Sequence, residues 1–149
     1  MRQEGPGRGD LIGPLDGLKI LPIEADAASD RLGWVGLEAA RYRAALASAY
    51  NPPAVTHHRL ILIARPPEEL DLVYKGVKRH VPPPAGAIML VPAGSPGRVR
   101  WSGRYHWLNI FLEPGLVERV AASRLFLPHH PRLADESGRW HRLFLWISA

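Results

Sequence analysis

Residues 86–94, Gly86-Ala-Ile-Met-Leu-Val-Pro-Ala-Gly94, decide how this chain folds. A run of apolar residues lies between a glycine and a Pro-x-Gly sequence. Glycine accepts a positive φ and proline fixes its own φ, so both ends of the run favour tight turns. The stretch therefore predicts one short β-strand. Because side chains alternate along a strand, we expect it to bury Ile88 and Leu90 together on one face.

Similar short segments lie on both sides of this strand. They end at turn residues, and Lys75-Gly76 and Ser102-Gly103 have the composition of hairpin turns. The candidate strands are residues 36–44, 58–64, 70–74, 77–81, 87–91, 98–101 and 105–112. Short strands at this spacing predict a mainly β, antiparallel sandwich or barrel, and they disfavour parallel β/α units.

Two helices are predicted after the last strand. The first begins at Pro114, with an apolar face made of Leu116, Val117, Val120, Ala121 and Leu125. The second, residues 136–148, places Trp140, Leu143, Phe144 and Ile147 on one stripe and leaves Leu145 and Trp146 off it. A helix that is apolar on two sides needs two partners. We therefore expect a homodimer that uses Trp140, Leu143, Leu145 and Trp146.

These patterns divide the chain into three parts within one structural domain. Residues 1–32 are polar and interrupted by Gly and Pro, which predicts an N-terminal arm. Residues 33–113 are predicted to form the β-barrel, and residues 114–149 the helical dimerisation segment. A total of 149 residues suits a single domain, since domains most often have about 100–150 residues.

The composition excludes several classes of function. The chain has no Cys, which rules out disulfides, thiolate catalysis and iron–sulfur clusters. The N-terminal residues lack the pattern of a signal peptide, and no run approaches the roughly 20 apolar residues of a membrane span. We therefore expect a soluble, cytoplasmic protein with no membrane partner.

The net charge of +5 points to nucleic acid, but its distribution weakens that reading. Residues 1–38 hold four Lys/Arg and seven Asp/Glu, whereas the remaining residues hold fifteen and seven. Most of the basic residues are single arginines, and no run of like charge reaches five. Direct binding of nucleic acid is therefore kept only as a third hypothesis.

The stretch 86–94 also resembles the second motif of cupin jelly-roll barrels. That motif has a metal-binding His three residues after its last glycine, where this chain has Gly97. The first cupin motif has a His-x-His pair, whereas His57 and His58 are adjacent and must point to opposite faces of a strand. We therefore expect no metal and no cofactor. No catalytic motif is present, so we also expect no enzymatic activity.

Aromatic residues in and beside the strands are candidates for holding a small organic ligand. Trp and Tyr combine a flat apolar ring with a polar group, which suits a barrel interior. Arg41 and Arg43 share one strand face and would supply a cation to an acidic ligand. The candidate ligand-binding residues are Trp34, Arg41, Arg43, His58, Trp101, Tyr105 and Trp107.

Residues 57–96 and 98–122 together resemble the N-terminal effector-binding and dimerisation domain of AraC-type transcriptional regulators. The residues that carry the resemblance are Pro83-Pro84-Ala85-Gly86, Pro92-Ala93-Gly94, Arg100–Gly103, Trp107–Leu112 and Glu113-Pro114. The resemblance implies a cupin-like barrel that binds a small-molecule effector, followed by dimerisation helices. In this family a separate C-terminal helix-turn-helix region binds DNA.

We expect this chain to lack the helix-turn-helix region. A truncated gene, a sensor domain taken alone and a stand-alone sensor all fit that expectation. The leading hypothesis is therefore an effector-sensing, dimerising domain that reaches DNA only through a missing C-terminal domain. The alternative is a small metal-dependent cupin enzyme, an isomerase or oxygenase.

Overall fold

The computed structural model describes residues 11–19, 21–74 and 76–125, and this part of the chain is mainly β. Two helices and nine strands are present in it. In chain order they are α1 (Pro14–Leu18), β1 (Ala27–Ala28), β2 (Leu37–Ala44), β3 (Ser48–Tyr50), β4 (His58–Arg65), β5 (Glu69–Tyr74), β6 (Val77–Arg79), β7 (Ile88–Val91), β8 (Gly97–Ser102), β9 (Tyr105–Leu112) and α2 (Pro114–Leu125).

The strands form two antiparallel sheets. The five-stranded sheet has the order β1-β2-β9-β4-β7, and the four-stranded sheet has the order β3-β8-β5-β6. The described strands therefore make a sandwich of two sheets and do not close into the single barrel that we expected. The antiparallel, mainly β class is confirmed.

The core lies between the sheets and follows the period of two. On β9, Tyr105, Trp107, Asn109 and Phe111 are buried, and the residues between them are half-buried. The facing sheet contributes its own buried residues from β5 and β8, namely Leu70, Leu72, Tyr74, Val99 and Trp101. One face of β9 therefore packs into the sandwich, in keeping with the alternation of side chains along a strand.

The predicted inward face of β7 was wrong. Met89 and Val91 are buried, whereas Ile88 and Leu90 are only half-buried. The pairing with β4 decides the face, because Met89 lies opposite the buried Ile61. The turns that frame β7 are as predicted, with Gly86 at φ +82° and Gly94 at φ +72°. Only a residue that tolerates positive φ fits these two positions without strain.

The described part of the N-terminal arm folds onto the sandwich. The short strand β1 pairs with β2, and Ile12 makes a parallel bridge to Val55. Leu21 and Ile23 are partly buried against the core. The arm therefore covers part of the sandwich.

Of the two predicted C-terminal helices, the first is present as α2. It begins at Pro114, as predicted, but the apolar side chains of Val117 and Val120 are exposed. The second predicted helix, residues 136–148, lies outside the described residues, and so do Trp140, Leu143, Leu145 and Trp146. Within residues 11–19, 21–74 and 76–125, no helix has the length and apolar character needed to cross a membrane.

Candidate ligand site between the sheets

Three of the predicted ligand residues meet in one aromatic cluster between the sheets. The rings of Tyr105 and Trp107 stack at 4.3 Å between centroids, and Tyr42 stacks on Trp107 at 5.1 Å. Trp101, from the other sheet, meets Trp107 edge-on at 5.6 Å. All four side chains are buried. We call these four residues, Tyr42, Trp101, Tyr105 and Trp107, the aromatic cluster.

The hydrogen-bonding groups of the aromatic cluster are only partly satisfied. The indole Nε1 of Trp101 donates to the carbonyl oxygen of Leu46 at 3.0 Å. The Tyr42 hydroxyl is buried and has no hydrogen-bond partner among the described residues. Burial raises the pKa of both Tyr42 and Tyr105 well above the usual value, so both phenols stay neutral.

Arg41 and Arg43 do not reach this interior. They alternate with the buried residues of β2 and point to solvent. Their Nε atoms contact the carboxylate of Asp26 at 2.9 and 3.0 Å. The hydrogen bond from Arg41 lowers the pKa of Asp26, so this acid stays ionised. The two arginines therefore hold the segment that contains β1 against β2.

Trp34 and His58 also lie outside the aromatic cluster. Trp34 precedes β2 in a loop and is 50% exposed. His58 is half-buried, and its Nδ1 accepts a hydrogen bond from the backbone N–H of Ala93 at 3.1 Å. His58 therefore ties the start of β4 to the turn after β7.

Arg59, which the sequence analysis did not select, is the charged group of the interior. It faces inward from β4 with only 6% of its surface exposed. Its Nη2 donates to the Tyr74 hydroxyl at 2.6 Å, and its Cζ lies 5.5 Å from the centre of the Tyr74 ring. The hydroxyl of Tyr50 also interacts with Arg59 and helps to raise the pKa of the guanidinium. We call Arg59, Tyr50 and Tyr74 the Arg59 cluster.

No ion pair joins Arg59 to a carboxylate among the described residues, although Glu38, two strands away in the same row, has one buried carboxylate oxygen. The buried polar or charged residues of the described chain are Ser29, Arg59, Ser95 and Asn109, with no Asp or Glu among them. Burial raises the pKa of Tyr74 and of Tyr50, which keeps both phenols neutral at pH 7. A guanidinium does not lose its proton in proteins, so the Arg59 cluster carries one positive charge.

Unpartnered polar atoms lie on three adjacent strands of the five-stranded sheet. They are Arg59 Nε on β4, both amide atoms of Asn109 on β9, and the Tyr42 hydroxyl and Glu38 Oε2 on β2. Asn109 lies between Ala40 and Ile61, while Trp107 faces Tyr42 and Phe111 faces Arg59. Arg59, Asn109 and Tyr42 therefore lie on one diagonal across the inner face. From each strand to the next, the polar residue is shifted by two positions along the strand.

The alternation of residues along β4 could have predicted that Arg59 faces the interior. In His58–Arg65 (HRLILIAR) the arginine shares its face with Ile61 and Ile63, both buried. Because arginine is seldom buried, the neighbouring histidines were the more obvious candidates for a ligand-binding residue in the sequence. Nothing in the sequence shows that Tyr50 and Tyr74 would meet it from the opposite sheet.

Sequence comparison finds no relative, since no family model and no curated protein matches the chain. Comparison with solved structures does find proteins of similar fold. A cupin 2 conserved barrel domain protein from Salinispora arenicola CNS-205 matches with a TM-score of 0.50 and 17% identity, over 83% of this chain and 98% of that chain. The fold is that of a cupin.

Two further cupins show weaker likeness. The cupin domain of Cnp3 from Schizosaccharomyces pombe matches with a TM-score of 0.49 and 8% identity, over 64% of this chain and 69% of that chain. A cupin superfamily protein from Desulfitobacterium hafniense DCB-2 matches with a TM-score of 0.44 and 21% identity, over 59% of this chain and 72% of that chain.

The metal that cupin motifs imply does not fit this cupin interior. At the position of the motif histidine, Gly97 lies opposite Tyr74, and a Cβ atom there would overlap the Tyr74 ring. The described residues contain no group of three or more His, Asp or Glu side chains that would hold a metal ion. His80 pairs with Asp71 at an exposed position, and His106 is half-buried on the outward face of β9. The space beside Gly97 is filled by the ring of Tyr74, whose hydroxyl accepts the hydrogen bond from Arg59.

Proposed function

We propose that this cupin chain is the effector-sensing and dimerising part of an AraC-like transcriptional regulator and binds a small organic molecule between its two sheets. The observation that carries the proposal is the buried, positively charged Arg59 cluster, with unpartnered polar atoms beside it and the aromatic cluster between the same two sheets. The resemblance of residues 57–96 and 98–122 supports the regulatory context.

A buried charge without an opposite charge is costly for a folded protein. Apolar side chains of similar volume often replace buried ionic groups with a gain in stability. Buried polar atoms without partners add to the cost, by about 1–3 kcal/mol for each group. Such groups persist most often at functional sites, where a ligand supplies the missing partners.

The aromatic cluster supplies the second property of a ligand site. Pockets for small molecules combine apolar and aromatic walls with a few polar groups that fix orientation. The stacked rings of Tyr105, Trp107 and Tyr42 provide such a wall. Asn109 lies next along β9 and offers one donor and one acceptor.

The regulatory part of the proposal concerns dimers and DNA. Val117 and Val120 are exposed on α2. Just before this helix, the N–H of Glu113 donates a hydrogen bond to the backbone oxygen of Gly36. Exposed apolar side chains of this kind are typical of interaction surfaces. In the proposal they belong to a homodimer interface, the protein acts in the cytoplasm, and DNA contact is made by a helix-turn-helix region.

A thermal-shift screen of small polar metabolites tests ligand binding. We expect some compounds to raise the melting temperature of the unaltered protein but not of the Arg59→Met variant. Arg43→Met is the matched control, because Arg43 is an exposed arginine of the same sheet. Compounds that stabilise all three proteins equally would show that the interior is not the site. Stoichiometric iron, manganese or zinc in the purified protein would favour the alternative, a metal-dependent cupin enzyme.

A further inference from the structure

We infer that the ligand of this site is a small monocarboxylic acid with a flat apolar body, whose carboxylate binds Arg59 beside the hydroxyls of Tyr50 and Tyr74. The inference rests on the proposed function and goes beyond it by naming the chemical class of the effector. It is argued from the charge of the interior, the free edge of the guanidinium, the diagonal of polar atoms and the charged groove outside Tyr50.

The charge of the interior selects a single negative charge. Arg59 is the one charged residue of the described chain that is buried as a whole, while the half-buried Glu38 places one carboxylate oxygen two strands away. A carboxylate would neutralise it, whereas a dianionic phosphate would bring a second charge with no buried cation to meet it. A neutral ligand would leave the guanidinium without an opposite charge in a medium of low polarity.

The guanidinium has a free edge that matches a carboxylate. Tyr74 occupies Nη2, and Nε has no partner among the described residues. Arginine binds a carboxylate in the plane of its nitrogen atoms, often with two parallel hydrogen bonds. The Tyr50 and Tyr74 hydroxyls lie on the same cation, and each can donate its proton to an oxygen of the ligand.

The diagonal of polar atoms gives the direction of the ligand body. From Arg59 the line runs along the inner face to Asn109 and then to Tyr42. Ala40, opposite Asn109, has only a methyl side chain. The Trp107 ring lies opposite Tyr42, so a flat body that extends from the carboxylate would lie against aromatic rings.

The surface next to the Arg59 cluster is positively charged. Tyr50 is half-buried and also lines a surface groove of about 460 Å³, whose charged side chains are Asp71, Lys78, Arg98 and Arg100. Arg100 is paired with Asp71, while Lys78 and Arg98 both lie opposite Val73 in the strand register. Exposed cations beside Tyr50 attract an anion to the side of the sandwich where the Arg59 cluster comes closest to solvent.

The experiment uses matched pairs of acids and primary amides of increasing size: propanoate and propanamide, benzoate and benzamide, 3-phenylpropanoate and 3-phenylpropanamide. Phenyl phosphate is the dianionic comparison. Binding to the full chain is measured by calorimetry. We expect at least one acid to bind at least about tenfold more tightly than its amide and than phenyl phosphate, a difference typical of charge-assisted hydrogen bonds.

Two variants locate the carboxylate. Arg59→Met should abolish the preference for the acid, and Tyr50→Phe, which removes one hydroxyl without opening a cavity, should weaken acid binding by about 3- to 30-fold. Arg43→Met should bind as the unaltered protein does. These three variants keep the test informative even if one of them folds poorly.

The outcomes separate this inference from the proposed function. Amides that bind as tightly as acids, or acid binding that survives Arg59→Met, would overturn the inference. Failure of all three acids would overturn it too, while binding of neutral compounds in the thermal-shift screen would leave the proposed function standing. Failure of every compound in that screen would overturn both.

Discussion

The hydrogen bond from Arg59 Nη2 to the Tyr74 hydroxyl joins the two sheets of the sandwich, because Arg59 lies on β4 and Tyr74 on β5. It is short, at 2.6 Å, and it links a cation to a neutral phenol. This bond and the ring of Tyr74 over Gly97 characterise the interior, where the described residues form no group of three or more metal-ligand side chains.

Removal of the two partners of this bond should have opposite effects on stability. Arg59→Met removes a buried charge and retains apolar volume, so we expect unchanged or higher stability, by up to about 3 kcal/mol. Tyr74→Phe leaves the charge but removes its acceptor, so we expect a loss of about 1–3 kcal/mol. Urea unfolding at pH 7 measures both, with the exposed Arg43→Met as the control. A large loss of stability in Arg59→Met would show that the charge itself supports the fold.

The aromatic cluster should carry much of the core energy. Trp107→Ala removes a buried ring that contacts Tyr42, Trp101 and Tyr105, and we expect a loss of about 3–5 kcal/mol. Trp34→Ala, at an exposed position, should change stability by less than about 0.5 kcal/mol. The two variants are compared by chemical denaturation. Equal losses would contradict the assignment of Trp34 to the surface.

Introduction of the histidine of the cupin motif at position 97 should not create a metal site. Gly97→His places a side chain where the Tyr74 ring lies, and overpacking of this kind costs about 1–3 kcal/mol or more. We expect lower stability and no gain in iron or zinc affinity, measured by thermal unfolding and metal titration. Gly94→Ala serves as a control. Its alanine is strained by the positive φ of this position, but its Cβ atom has open space around it. Tight metal binding by Gly97→His would show that the interior still holds the other ligands.

Asp71 should make stability depend on pH in the acidic range. Hydrogen bonds from His80 and Arg100 lower the pKa of this carboxyl from its ordinary 3.8. The folded chain thus holds the ionised form better than the unfolded chain does, so the stabilisation is present above pH 3.8 and is lost as the pH falls through the folded pKa. Asp71→Asn should flatten part of the decline between pH 5 and pH 2, at constant salt.

Glu24→Gln is the control for this measurement, because Glu24 is exposed and makes no ion pair within the described residues. Urea midpoints are recorded for the unaltered chain and both variants over the same pH series. If Asp71→Asn and the unaltered chain decline in parallel, the contacts of Asp71 with His80 and Arg100 contribute nothing to folding.

The exposed apolar face of α2 should govern self-association. If the chain forms the proposed homodimer through this face, Val120→Asp should shift the mass measured by light scattering from dimer to monomer. Arg119→Ser, an exposed change on the same helix, should leave the mass unchanged. A strict monomer at high micromolar concentration for the unaltered chain would count against the dimer itself.

The period of two predicted much of the fold but did not settle every face. In β9 the alternation placed Tyr105 and Trp107 together, and the structure confirms it. In β7 every residue is apolar, so the sequence carries no marker of the inward face, and pairing with β4 buries Met89 and Val91 instead. β3 was missed because a three-residue strand is too short to show a period.

For the candidate site, Trp101, Tyr105 and Trp107 could be found from residue type and alternation within their own strands. The Arg59 cluster could not, since it joins β3, β4 and β5 from two sheets. Arg41 and Arg43 were expected near the ligand because they share a face, but the register of β2 turns that face to solvent. Local patterns show which residues share a face, and only the packing of the sheets shows what lies opposite.

The placement of Tyr50 on β3 has a consequence for the kinetics of ligand exchange. β9 is hydrogen-bonded on both sides, to β2 and β4, whereas β3 is an edge strand held to β8 through three residue pairs. Amide protons of β3 should exchange with solvent faster than those of β9, since short edge strands open at a small fraction of the global unfolding free energy. The wall of the site next to solvent is thus the part that opens most readily. If the proposed ligand binds there, we expect brief fraying of that edge, without any disturbance of β9, to set how fast it leaves.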